Sequence, residues 1–286
     1  MAYQFTLDET KPVQHITKTF GTIPRIPHYR MEDKCFGDWK LKTFKLGLAQ
    51  GYWSTVSNQS EANGGNNIAL IKNGETVMSV TPMECESHLI PCNNARGNVV
   101  IAGLGLAMIT INLLEKKAVK KITVLEIDDG IIDLYPDILA GKDHKLWCDN
   151  ITSGRLQIIK QDCTKPISAE IKKKIGRTDY LWADTWNTLG CATSLPLTQM
   201  LQKEIKAKQV DFWGMEFVWI GDLVSEPLFK TNPLKAFRKW IDDTGLPLTA
   251  LTYNGYKQRL SLDLSLIIGK LAIRSIKEQQ NKSIFD

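Results

Sequence analysis

Two glycines and one acid have the spacing of a ligand-binding unit. An apolar run over 98–102 ends in Gly103-Leu104-Gly105, a helical pattern follows, and a second apolar run ends on Glu126. This order is typical of a strand, a glycine-rich turn, a helix and a second strand, the βαβ unit that binds nucleotides. The glycines let the backbone approach a ligand, and a carboxylate about 20 residues further on can accept hydrogen bonds from both hydroxyls of a ribose. The sequence therefore predicts a site for a ligand that carries adenosine.

Two further acids follow apolar runs in the same way. Asp162 comes after the run at 156–161, and Asp184 lies in Trp182-Ala183-Asp184-Thr185-Trp186. Because ligands of open α/β sheets bind at the carboxyl ends of the strands, we expect both acids to face the same crevice as Glu126. Asp162 is placed to accept a hydrogen bond from an adenine amino group, and Asp184 lies where the chemistry would occur. An acid after a strand is also an ordinary turn former, which is the alternative for Asp162.

Alternating strand and helix patterns from Asn98 onward predict an α/β fold. The sheet is expected to be Rossmann-like and mostly parallel, with helices on both faces. The predicted strands are 98–102, 122–126, 156–159, 180–183, 209–213 and, near the end, 260–268. The predicted helices are 106–117, 129–134, 194–208 and 233–244, with Asp128 or Asp129 capping the second of these. The apolar segment 212–219 fits either sheet core or an oligomer surface.

The first ninety residues differ from the rest in being rich in Gly, Asn and Thr. The runs 68–71 and 75–80, joined through Asn73-Gly74, predict a β-hairpin, and 58–67 is a polar loop. Thr81-Pro82-Met83-Glu84 is a helix start, in which Glu84 would complete a capping box, and His88 follows one turn later. We therefore expect a small β-rich region at 1–90 before a Rossmann-like ligand-binding domain at 91–286.

Composition argues against several classes of protein. The net charge of +5 over 286 residues is mild, so a nucleic-acid partner is not indicated. The six cysteines are scattered without a C-x-x-C pair, so neither a disulfide framework nor a metal site is expected. No apolar run approaches membrane-spanning length and the first residues lack a signal-peptide pattern, so we expect a cytoplasmic protein without a membrane partner.

These motifs together resemble the class I, Rossmann-like S-adenosylmethionine-dependent methyltransferases, and within them the spermidine-synthase-like branch, including uncharacterised bacteriophage members. The resemblance runs from about Glu75 to Trp186 and rests on four segments in this order: 99–108, 124–128, 155–162 and 179–184. It implies S-adenosyl-L-methionine as the cofactor, held by Gly103, Leu104, Gly105, Glu126, Ile127, Asp162 and Cys163. It also implies Asp184 as the catalytic residue and Glu84 and Trp186 as substrate-binding residues. A homodimer is expected from the resemblance only, and not from any pattern of residues.

Three differences from known sequence patterns argue against three functions: aminopropyl transfer, DNA methylation on an amino group, and dinucleotide binding. Aminopropyltransferases of this branch carry an acid in the glycine loop where this chain has Gly105, and a Tyr-His pair before the glutamate where it has Pro82 and Met83. The residues after Asp184 lack the Asp-Pro-Pro-Tyr-like element of amino-directed DNA methyltransferases. Dinucleotide-binding proteins carry a third glycine at the position of Met108, so the sequence argues against NAD as the ligand.

Three functions stay open at the level of sequence. The first is a methyltransferase acting on a small-molecule acceptor, with Asp184 orienting the nucleophile or accepting its proton. The second is an aminopropyltransferase, with Asp184 and Glu84 lining a pocket for a diamine. The third is a phage protein that binds or consumes S-adenosylmethionine without transferring a group, since one fold hosts many functions. The sequence names no acceptor.

Overall fold

The computed structural model describes residues 21–46, 51–52, 66–135, 137–223 and 225–248. The strand predicted at 260–268 and most of the polar loop predicted at 58–67 lie outside these residues. Within them the chain forms two β-sheets, one inside the first ninety residues and one after them.

The N-terminal sheet has four antiparallel strands in the order β1-β2-β3-β4. These are β1 (Lys34–Phe36), β2 (Trp39–Lys45), β3 (Asn66–Lys72) and β4 (Glu75–Ser79). The predicted hairpin is confirmed: β3 pairs with β4, and Asn73 and Gly74 in the turn have φ of 52° and 87°. A two-residue hairpin turn needs positive φ at both positions, which asparagine and glycine tolerate best.

The second sheet has five parallel strands in the spatial order β7-β6-β5-β8-β9. These are β5 (Gly97–Ala102), β6 (Val119–Glu126), β7 (Leu156–Lys160), β8 (Tyr180–Ala183) and β9 (Gln209–Phe212). Numbered from β5, this is the order 3-2-1-4-5 of a Rossmann-like sheet. The predicted fold class is confirmed, and the order reverses between β5 and β8, where sheets of this kind bind their ligands.

Helices connect the parallel strands and cover both faces of the sheet. They are α1 (Pro82–Ser87), α2 (Leu89–Asn94), α3 (Met108–Leu114), α4 (Asp129–Leu134), α5 (Gly141–Thr152), α6 (Ala169–Ile175), α7 (Ser194–Ile205), α8 (Met215–Leu223), α9 (Pro227–Thr231) and α10 (Pro233–Thr244). Within the described ranges no helix is both long enough and apolar enough to cross a bilayer. Helix α10 has its predicted bounds; the Asn232 side chain caps it by accepting the Lys235 N–H, and Gly245 follows its last turn.

The single helix predicted from Pro82 to about Ile90 is instead two short helices that meet at His88. Thr81 caps α1 as predicted, its hydroxyl accepting the Glu84 N–H at 3.4 Å. His88 has φ −88° and ψ 0°, which interrupts the helical hydrogen bonds between α1 and α2. This break carries the buried imidazole toward the end of β8, where it becomes part of the site described below.

The strands β1 and β2 and the helices α5, α6, α8 and α9 were not predicted, and α3 differs from its prediction. The helix predicted at 106–117 is shorter, because Ala107 adopts a left-handed conformation with φ 53° and the regular turns begin only at Met108. Helix α5 was missed because its sequence is mostly polar, with Trp147 as its one fully buried large apolar side chain. The apolar segment 212–219 contains the start of α8, whose Phe217 and Trp219 lie in the core.

Apolar side chains pack on both faces of the parallel sheet. Along β5, Val99 and Ile101 belong to one hydrophobic cluster, and Val100 and Ala102 belong to the other. A strand buried on both faces reads as a continuous apolar run, which is the pattern of 98–102 in the sequence. The core therefore lies on either side of β5 and holds the glycine loop that follows it.

The segment before the first sheet is anchored to α5 by one buried carboxylate. Asp143 is fully buried and accepts two hydrogen bonds from the Arg25 guanidinium, at 2.6 and 2.8 Å, and one from the His28 N–H at 2.7 Å. Burial alone would raise the pKa of Asp143, but these donors lower it to about 2. The neighbouring Tyr29 hydroxyl donates to the carbonyl of Leu106 at 2.8 Å, so the anchor reaches the glycine loop.

Replacing Gly103 by alanine should destabilise the protein far more than the same change at Gly154. A Cβ at Gly103, where φ is +95°, would lie 2.0 Å from the Asp184 carbonyl oxygen, whereas one at Gly154, where φ is +73°, would meet nothing within 4 Å. We expect about 1–2 kcal/mol for Gly154→Ala from the backbone conformation alone. Gly103→Ala should cost several kcal/mol more, or prevent folding, because β5 or β8 must move.

Urea unfolding of the two variants followed by circular dichroism measures this difference. Equal losses of unfolding free energy in both would contradict the close approach of the glycine loop to the end of β8.

Candidate functional site

A cavity of about 330 Å³ opens at the carboxyl edge of the parallel sheet, where the strand order reverses. Every residue that the sequence singles out for a site contributes to its wall: Glu84, Gly103, Leu104, Gly105, Glu126, Ile127, Asp162, Cys163, Asp184 and Trp186. Residues far apart in the chain therefore meet at one place, as the strand-end positions predict. The wall also includes residues that were not predicted, among them Trp39, Lys72, Met78 and His88.

The glycine loop is covered by the N-terminal hairpin. The Met78 sulfur of β4 accepts the Leu106 N–H at 3.0 Å, and a Cβ at Gly105 would lie 2.5 Å from the same sulfur. The Tyr135 hydroxyl donates to the Gly105 carbonyl at 2.9 Å on another side of the loop. Gly105 has φ +48°, so both its conformation and its packing require a residue without a side chain.

Glu126 is held in a fixed orientation by backbone amides. It is the last residue of β6 and is 6% exposed. One carboxylate oxygen accepts the Leu104 N–H and the other accepts the Asp128 N–H, both at 2.9 Å. Each oxygen of a carboxylate has room for a second donor, so this group can still accept two hydroxyls from a ligand. The glycine loop and Glu126 are thereby joined into one rigid wall of the cavity.

Lys72 and Trp39 bring the N-terminal sheet to the same end of the cavity. The Lys72 ammonium pairs with Asp128 and lies 4.8 Å from the centre of the Trp39 ring. Burial raises the pKa of Asp128, but the hydrogen bond from Lys72 and those from Trp39 and Gly130 outweigh it and lower the pKa overall. Asp128 also caps α4, as predicted, by accepting the Gly130 N–H at 2.8 Å. This contact ties β3 to the edge of the parallel sheet beside Glu126.

The wall of the cavity near Glu126 also includes Ile127, Asp162 and Cys163. Ile127 is 57% exposed, which makes it an apolar surface at the cavity wall. Asp162 accepts hydrogen bonds from the Thr164 hydroxyl and N–H, at 2.6 and 2.8 Å, which lower its pKa, so its role as a turn former is present in the structure. Burial raises the pKa of the Cys163 thiol to about 12, so it stays protonated and acts as an apolar wall rather than a nucleophile.

The opposite end of the cavity holds a cluster of Glu84, His88 and Asp184. His88 Nε2 lies 3.4 Å from one oxygen of Asp184, and His88 Nδ1 lies 3.8 Å from the Glu84 carboxylate. The His88 side chain is 1% exposed, Glu84 12% and Asp184 22%, so Asp184 is the member most open to the cavity. The Trp182 indole N–H donates to the same Asp184 oxygen at 3.4 Å. Among the described residues no hydrogen bond reaches the other oxygen, Oδ1.

The hydrogen bonds of His88 determine its tautomer. Nδ1 lies 2.7 Å from the Glu84 carbonyl oxygen, which accepts but cannot donate, so Nδ1 carries a proton and Nε2 faces Asp184. Burial lowers the pKa of His88, but the hydrogen bond to Asp184 and the charges of both acids raise it overall. Burial raises the pKa of Glu84 to about 7, with Asp184 acting in the same direction and His88 against it.

Two tryptophans close the wall next to this cluster. The Trp186 indole N–H donates to the Trp213 carbonyl at 3.2 Å, and the Trp213 indole N–H donates to the Ser87 hydroxyl at 3.0 Å. Trp186 is half-buried and lines the cavity. These contacts place α1, the loop after β8 and the end of β9 around one aromatic surface beside Asp184.

His88 is the main residue that the sequence reasoning missed. It was interpreted only as a helix neighbour of Glu84, four residues away, and that spacing does bring the two side chains together. The contact with Asp184 depends on where β8 ends relative to α1, which no local pattern reveals. Lys72, Trp39 and Met78 were missed for the same reason, because they reach the cavity from another sheet.

No family model and no curated protein sequence matches this chain. Its structure is similar to the crystal structure of spermidine synthase from Thermotoga maritima, with a TM-score of 0.35 and 15% sequence identity. The alignment covers 64% of this chain and 62% of that one, so this chain spans less than two-thirds of the enzyme it matches. The Rossmann-like strand order described above stands on the coordinates themselves.

The buried Glu84 predicts a loss of stability as the pH rises. A folded-state pKa of about 7 lies above the value near 4.3 of an unfolded glutamate, so the folded protein binds the extra proton between these two values. The stabilisation is therefore complete below about pH 4 and is lost as the pH rises to about 7. Glu84→Gln should remove up to about 3 kcal/mol of this pH dependence.

Unfolding free energies of wild type and Glu84→Gln at pH 5 and pH 8 provide the measurement. Glu75→Gln, at an exposed position of β4, is the control and should leave the wild-type pH dependence in place. A Glu84→Gln variant with the same pH dependence as wild type would show that this carboxyl is not buried.

Proposed function

We propose that the protein is an S-adenosylmethionine-dependent methyltransferase that acts on a small-molecule acceptor. The observation that carries the proposal is the meeting of the glycine loop, Glu126 and Asp184 around one cavity at the switch point of the parallel sheet. Such a crevice is where Rossmann-like sheets bind nucleotides. The two ends of the cavity would hold different parts of the cofactor.

The residues at the Glu126 end fit an adenosine group. The carboxylate of Glu126 is buried, oriented by two backbone amides and able to accept the two hydroxyls of a ribose. The exposed Ile127 offers an apolar surface to an adenine ring, and Asp162 lies beside it to accept from an amino group. Cys163 supplies a small uncharged wall. Gly103, Leu104 and Gly105 line the cavity between these residues and Asp184, where the cofactor's chain would pass.

The residues at the Asp184 end fit transfer to a nucleophile. S-adenosylmethionine, when bound, supplies a methyl group already activated on a sulfonium, so the protein needs mainly to align the acceptor and exclude water. Asp184 Oδ1 is available to orient the acceptor or take its proton, since His88 and Trp182 contact the other oxygen. Trp186 and Trp213 shield this end from solvent. Glu84, in α1, would lie beside the bound acceptor.

One observation favours a second candidate, an aminopropyltransferase. Glu84 and Asp184 place two carboxylates at the transfer end, which suits a cationic diamine. The glycine loop argues against it, because the acid of that branch would stand at Gly105, which has no side chain, and a Cβ there would lie 2.5 Å from the Met78 sulfur. The methyltransferase therefore remains the better-supported candidate.

Titration calorimetry with S-adenosylmethionine and S-adenosylhomocysteine tests the cofactor. We expect saturable binding, weakened about 10-fold or more in Glu126→Gln, since a hydrogen bond to a charged group contributes about 1.5–3 kcal/mol. Asp129→Asn is the matched control: it removes a nearby carboxylate that is exposed and pairs with Lys160 instead of lining the cavity. Absence of affinity in wild type, or equal affinity in wild type and Glu126→Gln, would refute the cofactor assignment.

Product analysis by mass spectrometry separates the candidate activities. With S-adenosylmethionine and panels of amine, hydroxyl and carboxyl acceptors, we expect acceptor-dependent S-adenosylhomocysteine, reduced at least 100-fold in Asp184→Asn while cofactor affinity changes little. Methylthioadenosine formed from decarboxylated S-adenosylmethionine and putrescine would establish the aminopropyltransferase instead. Consumption of S-adenosylmethionine without an acceptor would identify a protein that degrades it.

A further inference from the structure

We propose that Glu84, His88 and Asp184 form a binding site for a divalent first-row transition-metal ion. One potential ligand atom from each residue lies within 4.8 Å of those of the other two, at a place where the three side chains meet between α1, the α1–α2 break and the end of β8. The sequence predicts no metal site, because the two helix residues and Asp184 are far apart in the chain. Only the fold brings them together.

The separations fit a metal ion with short bonds. Ligand atoms that bind one ion at about 2.0–2.2 Å lie about 3.0–3.5 Å from one another. The distance of 3.4 Å between His88 Nε2 and the nearer Asp184 oxygen falls in this range. The Glu84 carboxylate lies 3.8 Å from the other ring nitrogen, Nδ1, and the ligand atoms of the three residues lie within 4.8 Å of one another, so Glu84 must move toward Nε2 to bind the same ion.

His88 is already prepared to bind through Nε2. A histidine that ligates a metal usually donates its other ring N–H to a backbone carbonyl or a carboxylate, which fixes the tautomer and the ring orientation. Here Nδ1 donates to the Glu84 carbonyl at 2.7 Å, and the Ser87 hydroxyl lies 3.3 Å from the same nitrogen. The imidazole is 99% buried by the same side chains that line the site, since it is 1% exposed. Its other ring nitrogen, Nε2, faces Asp184 at 3.4 Å.

The charges of the cluster favour a cation. Two carboxylates contact one imidazole in a largely buried setting. An ion of charge +2 would balance both acids and leave the imidazole neutral. One nitrogen and two oxygen ligands suit ions between Mn²⁺ and Zn²⁺ better than Ca²⁺ or Mg²⁺, which prefer oxygen ligands alone.

Glu84, His88 and Asp184 all line the cavity, so an ion held by them would border the space for the acceptor. An ion there would hold an acceptor oxygen next to Asp184 Oδ1 and lower the pKa of an acceptor hydroxyl. We therefore infer that the acceptor is a hydroxyl compound, and this inference rests on the proposed transferase function. The metal site itself does not rest on it.

The first experiment measures metal binding in the absence of any S-adenosyl compound. Full-length protein treated with a chelator is titrated with Co²⁺, followed by visible absorption, and with Zn²⁺, followed by calorimetry. We expect one ion per chain, with affinity reduced at least 30-fold in His88→Gln and in Asp184→Asn. His28→Gln is the matched control, because His28 also contacts an aspartate, Asp143, at 3.0 Å but lies outside the cavity. A negative result in the metal titration would not affect the titration with S-adenosyl compounds, so the metal site and the cofactor assignment can be refuted independently.

A second measurement uses wild-type protein and so does not depend on whether a variant folds. Ring resonances of one histidine should shift or broaden on addition of one equivalent of Co²⁺. Binding that is unsaturable, that leaves every histidine resonance unchanged, that persists in His88→Gln and Asp184→Asn, or that is lost equally in His28→Gln would overturn the proposal.

Discussion

The site depends on how closely two neighbouring strand ends approach each other. At Gly103 the backbone passes so near the Asp184 carbonyl that a single Cβ would lie 2.0 Å from it. The Asp184 N–H donates to the Ala102 carbonyl at 2.9 Å, so the last pair of residues in β5 and β8 stays in register up to this contact. Because the strands end together, the glycine loop and Asp184 lie on the same wall. A bulkier residue at Gly103 would separate the two parts of the site that must act together.

The same wall extends sideways through Glu126. Its carboxylate accepts the N–H groups of Leu104, in the glycine loop, and Asp128, in the turn after β6. A buried carboxylate is tolerated when such donors satisfy it. The group is therefore both a structural link between two loops and a polar surface that faces the cavity. Preorganisation of this kind reduces the rearrangement that a ligand must induce on binding.

The N-terminal sheet completes the cavity from the other side. Met78 rests on the glycine loop, while Lys72 and Trp39 meet Asp128 near Glu126. The cluster of Glu84, His88 and Asp184 joins this covering region to the end of β8. Charged groups are buried there at an energetic cost that packing elsewhere must offset, and such costs are typical of functional sites. Apolar side chains on both faces of β5 belong to the two hydrophobic clusters that supply such packing.

Much of this arrangement follows from local patterns in the chain. The apolar run before Gly103, the hairpin turn at Asn73-Gly74 and the capped helix after Asn232 are short-range signals, since each depends on backbone preferences within a few residues. The carboxyl-end positions of Glu126, Asp162 and Asp184 could be read from the alternation of strands and helices, because parallel strands end at one edge of the sheet. The sequence by itself therefore determined the fold class and ten of the residues on the cavity wall.

Only the tertiary structure decided which of these residues touch. The break at His88 that turns an imidazole toward Asp184, and the reach of Met78 and Lys72 from a separate sheet, depend on how distant elements pack. Periodicity states which face of an element is buried but not what lies opposite it. Contacts between side chains distant in the chain are set by the three-dimensional packing of the whole core, and for that reason the chemistry of the Glu84, His88 and Asp184 cluster became visible only in the folded molecule.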